Sequence, residues 1–356
     1  MHVAEFLLWW ERKTVLGRRD VRIIPLAFCI FAMLLMQGHA AGPDRAEQLS
    51  GYEATIRGIL AKGRLPIIDV EYHHGDKISL ESLLGRMDAN GVALTWLGPN
   101  EKLGSEESLR QYERYPSRIV PTAVHGDGPK WHGNDPQFLE SLEKDAKSGH
   151  FLAMGEFEAR HYPSSTNDRN VHKPVDSEGM QTIFRISSET EIPFLLHHEA
   201  EDVLLPELER MLMKYPKAKV VWCHVGRNRN RVTWKKFQDV SAVREFLQKY
   251  PNLYFDIVQS KPGSEDPRTR VVEAILYNSP RHLPFVYLES DWKKLFEEFP
   301  DRFVIGTDVN TGRFPQYDRV IITFRDVILS KINQEAAARM AYKNAWKLMT
   351  GKEWKD

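Results

Sequence analysis

The chain has 356 residues, of which 42% are hydrophobic and 28% charged, and its 49 basic residues balance 49 acidic ones. This composition is typical of a globular protein with a large core, and it excludes a disordered or low-complexity chain. Because no stripe of Lys or Arg stands out, nucleic acid is not an expected partner.

The N-terminus has the composition of a secretory signal. Three arginines from Arg18 to Arg22 precede an uninterrupted apolar run at 23–36, and small residues follow up to Ala40. The run is short for a membrane span. We therefore predict that residues 1–40 comprise an N-terminal extension and a cleaved signal peptide. The protein would then be exported to the periplasm or secreted, without stable membrane contact; a retained single-helix anchor is the alternative.

The cysteine content fits a fold without disulfides. Cleavage after Ala40 would remove Cys29 and leave Cys223 as the single cysteine. A chain exported to an oxidising compartment would then have no intrachain disulfide. Its stability is expected to come from a hydrophobic core.

Short apolar runs alternate with helical stretches along most of the chain. After a helical segment at 41–65, the runs that we predict as strands are 66–72, 92–97, 119–124, 151–157, 193–197, 219–223, 253–257 and 303–306. Predicted helices cover 80–89, 106–115, 136–147, 178–190, 205–215, 240–250, a stretch ending near 299, 319–329 and 335–349. Polar loops separate the rest, including a long one at 160–174.

Eight strands alternating with helices predict an α/β protein with a single-domain (β/α)8 TIM barrel at 66–350 and a C-terminal tail at 351–356. A doubly wound open sheet is the competing architecture. It usually carries a glycine-rich phosphate-binding turn after its first strand, and no such turn follows 66–72.

Ionisable side chains end several predicted strands. They are Asp69, Glu71 and His73 on the first strand, then Glu156, His197 with His198, His224 with the nearby Arg227, and Asp308. Because strand alternation directs every second residue to one face and barrel enzymes build their sites at the C-terminal strand ends, these groups are expected to meet. Imidazole and carboxylate ligands suit Zn²⁺ or Mn²⁺ with an open position for water. We predict one or two such ions.

Four passages carry a family resemblance by their order along the chain. They are 192–197 (IPFLLH), 219–226 (KVVWCHVG), 302–308 (RFVIGTD) and 344–348 (NAWKL). Together they resemble the metal-dependent amidohydrolase superfamily, close to the branch called amidohydrolase family 2. The resemblance spans about residues 66–350 and implies a metal-dependent enzyme on a TIM barrel.

The resemblance implies roles for the strand-end residues. The metal ligands would be Glu71, His73, Glu156, His197, His224 and Asp308. Asp308 would also be the general base, and His224 would ligate the ion or polarise the substrate. Arg227 and His198 are assigned to substrate binding. The alternatives are an ion pair of Glu156 with Arg160 or Arg227, a surface position for Arg227, and a supporting role behind the ligands for His198. Trp131, His132, His161 and Tyr162 are expected in loops at the same end.

The first strand departs from the family pattern. In that family it normally ends Asp-x-His-x-His, whereas Glu71 stands here in the place of the first histidine and His73 in the place of the second. A carboxylate adds negative charge and shifts the site toward harder oxygen coordination. A frame shifted by one residue, which pairs Tyr72 with His74, is the alternative, but Asp69 then loses its match.

These features predict an exported metal-dependent hydrolase that cleaves a C–O or C–N bond, in an ester, lactone or amide, of a small molecule. One alternative is a non-oxidative decarboxylase of an aromatic acid, because branches resembling family 2 use the same metal site to expel CO₂. The other is a binding protein without activity on a degenerate barrel, suggested by Glu71. The expected partner is a small-molecule substrate, and homo-oligomerisation is left open.

Overall fold

The structure is a computed structural model, and it describes residues 45–163, 168–226, 240–257, 276–278 and 286–356. The predicted signal peptide at 1–40 and the predicted substrate ligand Arg227 lie outside these residues. Within the described ranges, no helix is both long enough and apolar enough to cross a membrane.

Eight parallel strands of the described chain follow one another in sequence order around a barrel. They are β1 (Ile67–His74), β2 (Val92–Pro99), β3 (Ile119–Ala123), β4 (Ala153–His161), β6 (Phe194–His198), β7 (Val220–Trp222), β8 (Leu253–Asp256) and β11 (Phe303–Val304). A short strand, β5 (Val171–His172), pairs antiparallel with β4, and β9 (Leu276–Asn278) pairs antiparallel with β10 (Val286–Leu288).

The last strand returns to the first and closes the barrel. A parallel bridge joins Asp69 to Ile305, and the Val70 N–H donates to the Ile305 carbonyl at 2.9 Å. The Asp69 carboxylate accepts from the Thr307 N–H at 2.9 Å and from the Thr307 hydroxyl at 2.8 Å. The prediction of an α/β TIM barrel is thereby confirmed.

Helices cover the outside of the strands. They are α1 (Arg45–Leu60), α2 (Leu80–Asn90), α3 (Ser105–Arg114), α4 (Pro129–His132), α5 (Pro136–Lys147), α6 (Glu178–Thr190), α7 (Leu205–Lys214), α8 (Val240–Lys249), α9 (Ser290–Glu298), α10 (Tyr317–Thr323), α11 (Gln334–Ala338) and α12 (Asn344–Thr350). Local chemistry sets several ends: Asp135 caps the N-terminus of α5, and Gly91 ends α2 in a left-handed conformation, as such residues commonly do.

An aromatic layer joins the strands to the helices. The Trp222 ring stacks on Phe255 with centroids 5.5 Å apart and lies 5.9 Å from Phe246 of α8. Phe303 of β11 packs edge-on against Phe296 of α9 at 4.8 Å. Burial of these large rings contributes to the stability of the barrel.

The structure differs from prediction mainly in the predicted loop at 160–174. β4 continues to His161 instead of ending at Phe157, because it pairs with β6 as far as Arg160 and because Val171 of β5 pairs with His161. Trp131 and His132, also expected in a loop, lie in the short helix α4. The last two predicted helices are interrupted by wide turns at Phe324–Ile328 and Arg339–Lys343.

Candidate metal centre

Five of the six predicted ligands form a contiguous cluster at the C-terminal end of the barrel. His197 Nδ1 lies 2.7 Å from Glu156 Oε1, and His224 Nε2 lies 3.0 Å from the same nitrogen of His197. His73 Nε2 lies 3.4 Å from Glu156 Oε2 and 3.3 Å from Asp308 Oδ1. These five side chains come from the ends of five different strands. The barrel geometry therefore brings together residues that are far apart in sequence.

The sixth ligand, Glu71, lies beneath this cluster. Its Oε1 is 3.8 Å from Nε2 of His73 and 3.8 Å from Nε2 of His224. The residue is 3% exposed, and neither carboxylate oxygen has a hydrogen-bond partner among the described residues. A buried carboxylate without a partner is costly. A bound cation would supply the missing partner, so the donor set fits a metal ion.

The register of β1 directs Glu71 and His73 into the cluster. Tyr72, between them, packs its ring against Tyr317 with centroids 6.4 Å apart. His74 pairs with a carboxylate of α3 at 3.2 Å. The structure therefore brings Glu71 with His73 to the other ligands, and not Tyr72 with His74.

Two of the predicted ligands have an unusual backbone conformation. His224 and Asp308 have φ values of +57° and +48°, in the left-handed region that residues other than glycine rarely adopt and that recurs at functional sites. The His224 N–H donates to Asp256 Oδ1 at 2.8 Å, and the Asp308 N–H donates to the Glu71 carbonyl at 2.9 Å. These bonds hold both turns with their side chains in the cluster.

The carboxylates and imidazoles shift one another's pKa values. Burial, together with the neighbouring carboxylates, raises the pKa of Glu71 well above its usual range. Burial also opposes ionisation of Glu156, but the adjoining histidines outweigh it and lower the pKa of Glu156. For His73, burial would lower the pKa, but Asp308 and Glu156 raise it to about 9. Excess carboxylate charge of this kind is what a divalent cation stabilises.

Arg313 holds Asp308 on the side facing the cavity. Its guanidinium donates to the Asp308 carboxylate, and to the Asp308 carbonyl at 2.7 Å. Burial opposes ionisation of Asp308, but Arg313 and His73 outweigh it and hold the pKa of this carboxyl well below its usual range. The Asp308 side chain remains 23% exposed, so it is open to a substrate.

A cavity of about 500 Å³ opens above the cluster. Four of the predicted ligands line it, namely His73, Glu156, His197 and Asp308. The other lining residues are polar or glycine: His74, Gly75, Asn100, His125, Asp127, Glu158, His161, Arg169, Asn310, Thr311, Gly312, Arg313 and Gln316. The site therefore combines a buried ligand cluster with space for a small polar molecule.

His198, assigned above to substrate binding, lies away from this cavity. Its ring is 5.8 Å from the ring of Trp222, in the layer between strands and helices, and it is not among the lining residues. Burial lowers the pKa of His198 to about 3. Side chains alternate along a strand, so His197 points toward the inside of the barrel and its neighbour His198 points outward.

The other predicted mouth residues take varied positions. Arg160 pairs with Glu201 at 2.5 Å rather than with Glu156. The Tyr162 hydroxyl donates to the same Glu201 carboxylate at 2.7 Å. His161 lines the cavity, with its ring 5.0 Å from that of His197. Glu156 is thus paired with histidines, and the alternative ion pair with Arg160 does not form.

Sequence reasoning missed several ionisable groups of the site. His125 places its ring 4.9 Å from that of His73, and Glu199 Oε1 lies 3.7 Å from His197 Nε2. Asp256 is fully buried under the turn of His224. The strand-end signal was present for His125 and Asp256, because each directly follows an apolar residue.

Comparison with known proteins identifies the family. The family model described as amidohydrolase matches residues 112–349. The chain belongs to the amidohydrolase family. This makes it a metal-dependent, hydrolase-like enzyme that acts on small molecules. The match begins after β1, so Glu71 and His73 lie outside it.

Solved structures share the barrel of this amidohydrolase at low sequence identity. An uncharacterised TIM-barrel protein from Bordetella bronchiseptica is 16% identical with a TM-score of 0.55, over 81% of this chain and 100% of that one. An amidohydrolase is 15% identical with a TM-score of 0.51, over 80% and 99%. A dihydroorotase from Campylobacter jejuni is 15% identical with a TM-score of 0.50, over 82% and 85%. No curated protein matches the sequence.

Proposed function

We propose that the protein is a metal-dependent hydrolase that cleaves a C–O or C–N bond, in an ester, lactone or amide, of a small molecule. The observation that carries the proposal is the buried Glu71 carboxylate, which has no hydrogen-bond partner among the described residues and adjoins the imidazoles of His73 and His224. The polar cavity above it supplies room for a substrate.

Among the described residues, five sets of three side chains have ligand atoms that lie within 4.8 Å of one another, and two of these sets consist entirely of predicted ligands. These two sets are Glu71, His73 and Asp308, and Glu156, His197 and His224. We assign them to one or two Zn²⁺ or Mn²⁺ ions. A divalent ion bound there would lower the pKa of water and polarise a carbonyl oxygen of the substrate.

The protein's own residues provide the proton transfers. Asp308 faces the cavity as an ionised carboxylate and accepts the proton of the attacking water, which it then passes to the leaving group. Arg313 orients this carboxylate through its hydrogen bonds. His224 would ligate the ion or polarise the substrate carbonyl.

Metal analysis and a substrate panel test the proposal. Protein purified without chelator is expected to carry one or two ions per chain by mass spectrometry. It is expected to release acid from members of a lactone, ester and amide panel, to stop when a chelator removes the metal, and to recover with Zn²⁺ or Mn²⁺. CO₂ release from aromatic acids without hydrolysis would support a decarboxylase instead. Metal-free protein that gains no activity with added metal would support a binding protein.

Export belongs to the same proposal and has its own test. The basic residues and apolar run of 1–40 support it. N-terminal sequencing of the protein made in its own cell is expected to begin at Ala41. A chain that still carries the apolar run would support the anchored alternative.

A further inference from the structure

One wall of the cavity is built by two segments that run side by side. A parallel bridge joins Gly126 to Phe157. The Gly126 N–H donates to the Glu156 carbonyl at 2.9 Å, and the Glu158 N–H donates to the Gly126 carbonyl at 3.0 Å. His125 and Asp127 flank Gly126, and Glu156 and Glu158 flank Phe157. Because side chains alternate along extended segments, these four residues face the cavity, and all four line it.

Two glycines let this wall pack closely. A Cβ added at Gly126 would lie 2.5 Å from Cγ of Trp131 and 2.8 Å from Cδ1 of Phe157. A Cβ added at Gly155 would lie 2.7 Å from the Cα of His125. Any larger residue at either position would force the two segments apart. The two glycines therefore fix the position of His125 relative to β4.

Two side chains of the wall carry buried polar atoms without partners. His125 is 4% exposed and Glu158 is 2% exposed. Across the described ranges, neither ring nitrogen of His125 nor Oε2 of Glu158 has a hydrogen-bond partner. Asp127 Oδ2 lies 3.9 Å from His125 Nδ1, and His132 Nε2 lies 3.9 Å from Glu158 Oε2, both beyond hydrogen-bond distance. Buried groups of this kind are normally paired, so a ligand in the cavity is their natural partner.

A hydroxyl group is the ligand chemistry that fits both atoms. A hydroxyl donates and accepts, so it can pair with the His125 imidazole in either tautomer and with the Glu158 carboxyl in either protonation state. Arg169 Nη2 donates to the other oxygen of Glu158 at 2.5 Å, so Oε2 is the carboxylate oxygen that still lacks a partner.

The rest of the lining disfavours an apolar ligand. In the part of the chain that the structure describes, the cavity is lined by no aliphatic, phenyl, phenol or indole side chain. Amides line it at Asn100, Asn310 and Gln316. An alkyl or unsubstituted aromatic group would bury these polar groups without pairing them, whereas hydroxyl groups would satisfy them.

We infer that this wall is a substrate subsite for hydroxyl groups, with His125 and Glu158 as specificity-determining residues, and that the substrate is an ester or lactone of a polyhydroxylated acid. The nature of the reacting bond rests on the proposed hydrolase function. The recognition of hydroxyl groups rests on the wall itself.

Binding of two matched carboxylates to the metal-loaded protein tests the subsite without turnover. Gluconate and hexanoate have the same carbon number and charge and differ in their hydroxyl groups. By isothermal titration calorimetry, gluconate is expected to bind at least about tenfold more tightly, a difference that one or two well-placed hydrogen bonds supply. Hexanoate binding as tightly as gluconate, or no binding of either, would overturn the inference.

Substitutions at His125 locate the preference. His125→Phe keeps a ring but removes both nitrogens, so it is expected to reduce the preference for gluconate about tenfold. His125→Gln restores a donor and an acceptor and is expected to recover most of that preference. His172→Phe makes the same change on the exposed strand β5, away from the lining, and is the matched control. An unchanged preference in folded His125→Phe would count against the subsite.

The two proposals fail separately. Gluconate selectivity without hydrolysis of any panel member would overturn the hydrolase and leave the subsite standing. Hydrolysis of alkyl lactones without gluconate selectivity would overturn the subsite and leave the hydrolase standing.

Discussion

Glu71 shows how a single side chain sets the chemistry of the cluster. It adds a buried carboxylate to those of Glu156 and Asp308, where the family pattern described above has a histidine. Three carboxylates exceed the charge of one divalent ion but not that of two, and oxygen donors favour harder ions such as Mn²⁺. Glu71 therefore bears on both the number and the identity of the ions.

The first prediction concerns this residue. Glu71→His is expected to retain the metal and to shift its preference from Mn²⁺ toward Zn²⁺, because an imidazole replaces a hard oxygen donor. Metal content after dialysis against equal concentrations of both ions measures the shift. Glu71→Leu removes the donor and is expected to lower the metal content. Loss of metal from the histidine variant would contradict the assignment of Glu71 as a ligand.

Asp308 is the second residue whose role can be isolated. Asp308→Asn is expected to lower turnover by about 10²- to 10⁴-fold, because an amide cannot accept the proton of the attacking water. Turnover and thermal unfolding of the metal-loaded variant measure activity and fold together. Asp318→Asn makes the same change at a half-exposed position paired with Arg86, and should leave turnover unchanged. Full activity of Asp308→Asn would eliminate it as the base.

At the scale of elements, the apolar runs predict the eight barrel strands and the end of the barrel at which the ligands meet. These apolar runs do not predict which distant segments pair with one another. β4 extends to His161 because it pairs with β6 as far as Arg160 and because β5 folds back on its end. The return of the chain at β5 also brings Arg169 to Glu158. His125, by contrast, follows Val124 as directly as His224 follows Cys223, so the same rule finds it when applied to every strand.

The residue that ends α6 has a backbone conformation that its side chain disfavours. Glu191 follows the helix with φ +59° and is largely exposed, in the conformation that favours glycine. Glu191→Gly is expected to raise the free energy of unfolding by about 0.5–1 kcal/mol. Little is lost with its ion pair to Lys219, because the pair is long, at 3.7 Å, and the Glu191 side chain is largely exposed. Urea unfolding at neutral pH measures the change.

Glu140 provides the matched control. It is exposed in the interior of α5, where glycine is unfavourable. Glu140→Gly is expected to lower the free energy of unfolding by about 1 kcal/mol. Changes of the same sign in the two variants would show that the backbone conformation at Glu191 is not the cause.

At the scale of the whole molecule, stability depends on the closure between β1 and β11. Thr307→Val keeps the shape of the side chain but removes the hydroxyl that donates to Asp69 at 2.8 Å. The buried carboxylate then loses a partner, which is expected to cost about 1–3 kcal/mol in urea unfolding. Thr182→Val, on the exposed face of α6, is expected to stay within about 0.5 kcal/mol. Equal effects would mean that this bond does not secure the closure.

The closure between β1 and β11 also determines when the ligand cluster becomes complete during synthesis and folding. Glu71 and His73 belong to the first barrel strand, whereas Asp308 follows the last, and the Asp69–Thr307 bonds join these two ends. A growing polypeptide that has not reached β11 contains only part of the ligand cluster. If the cluster holds the ions as proposed, complete metal loading follows synthesis of nearly the whole chain and closure of the barrel. The cell's supply of the ion matters in the compartment where folding finishes, rather than at the ribosome.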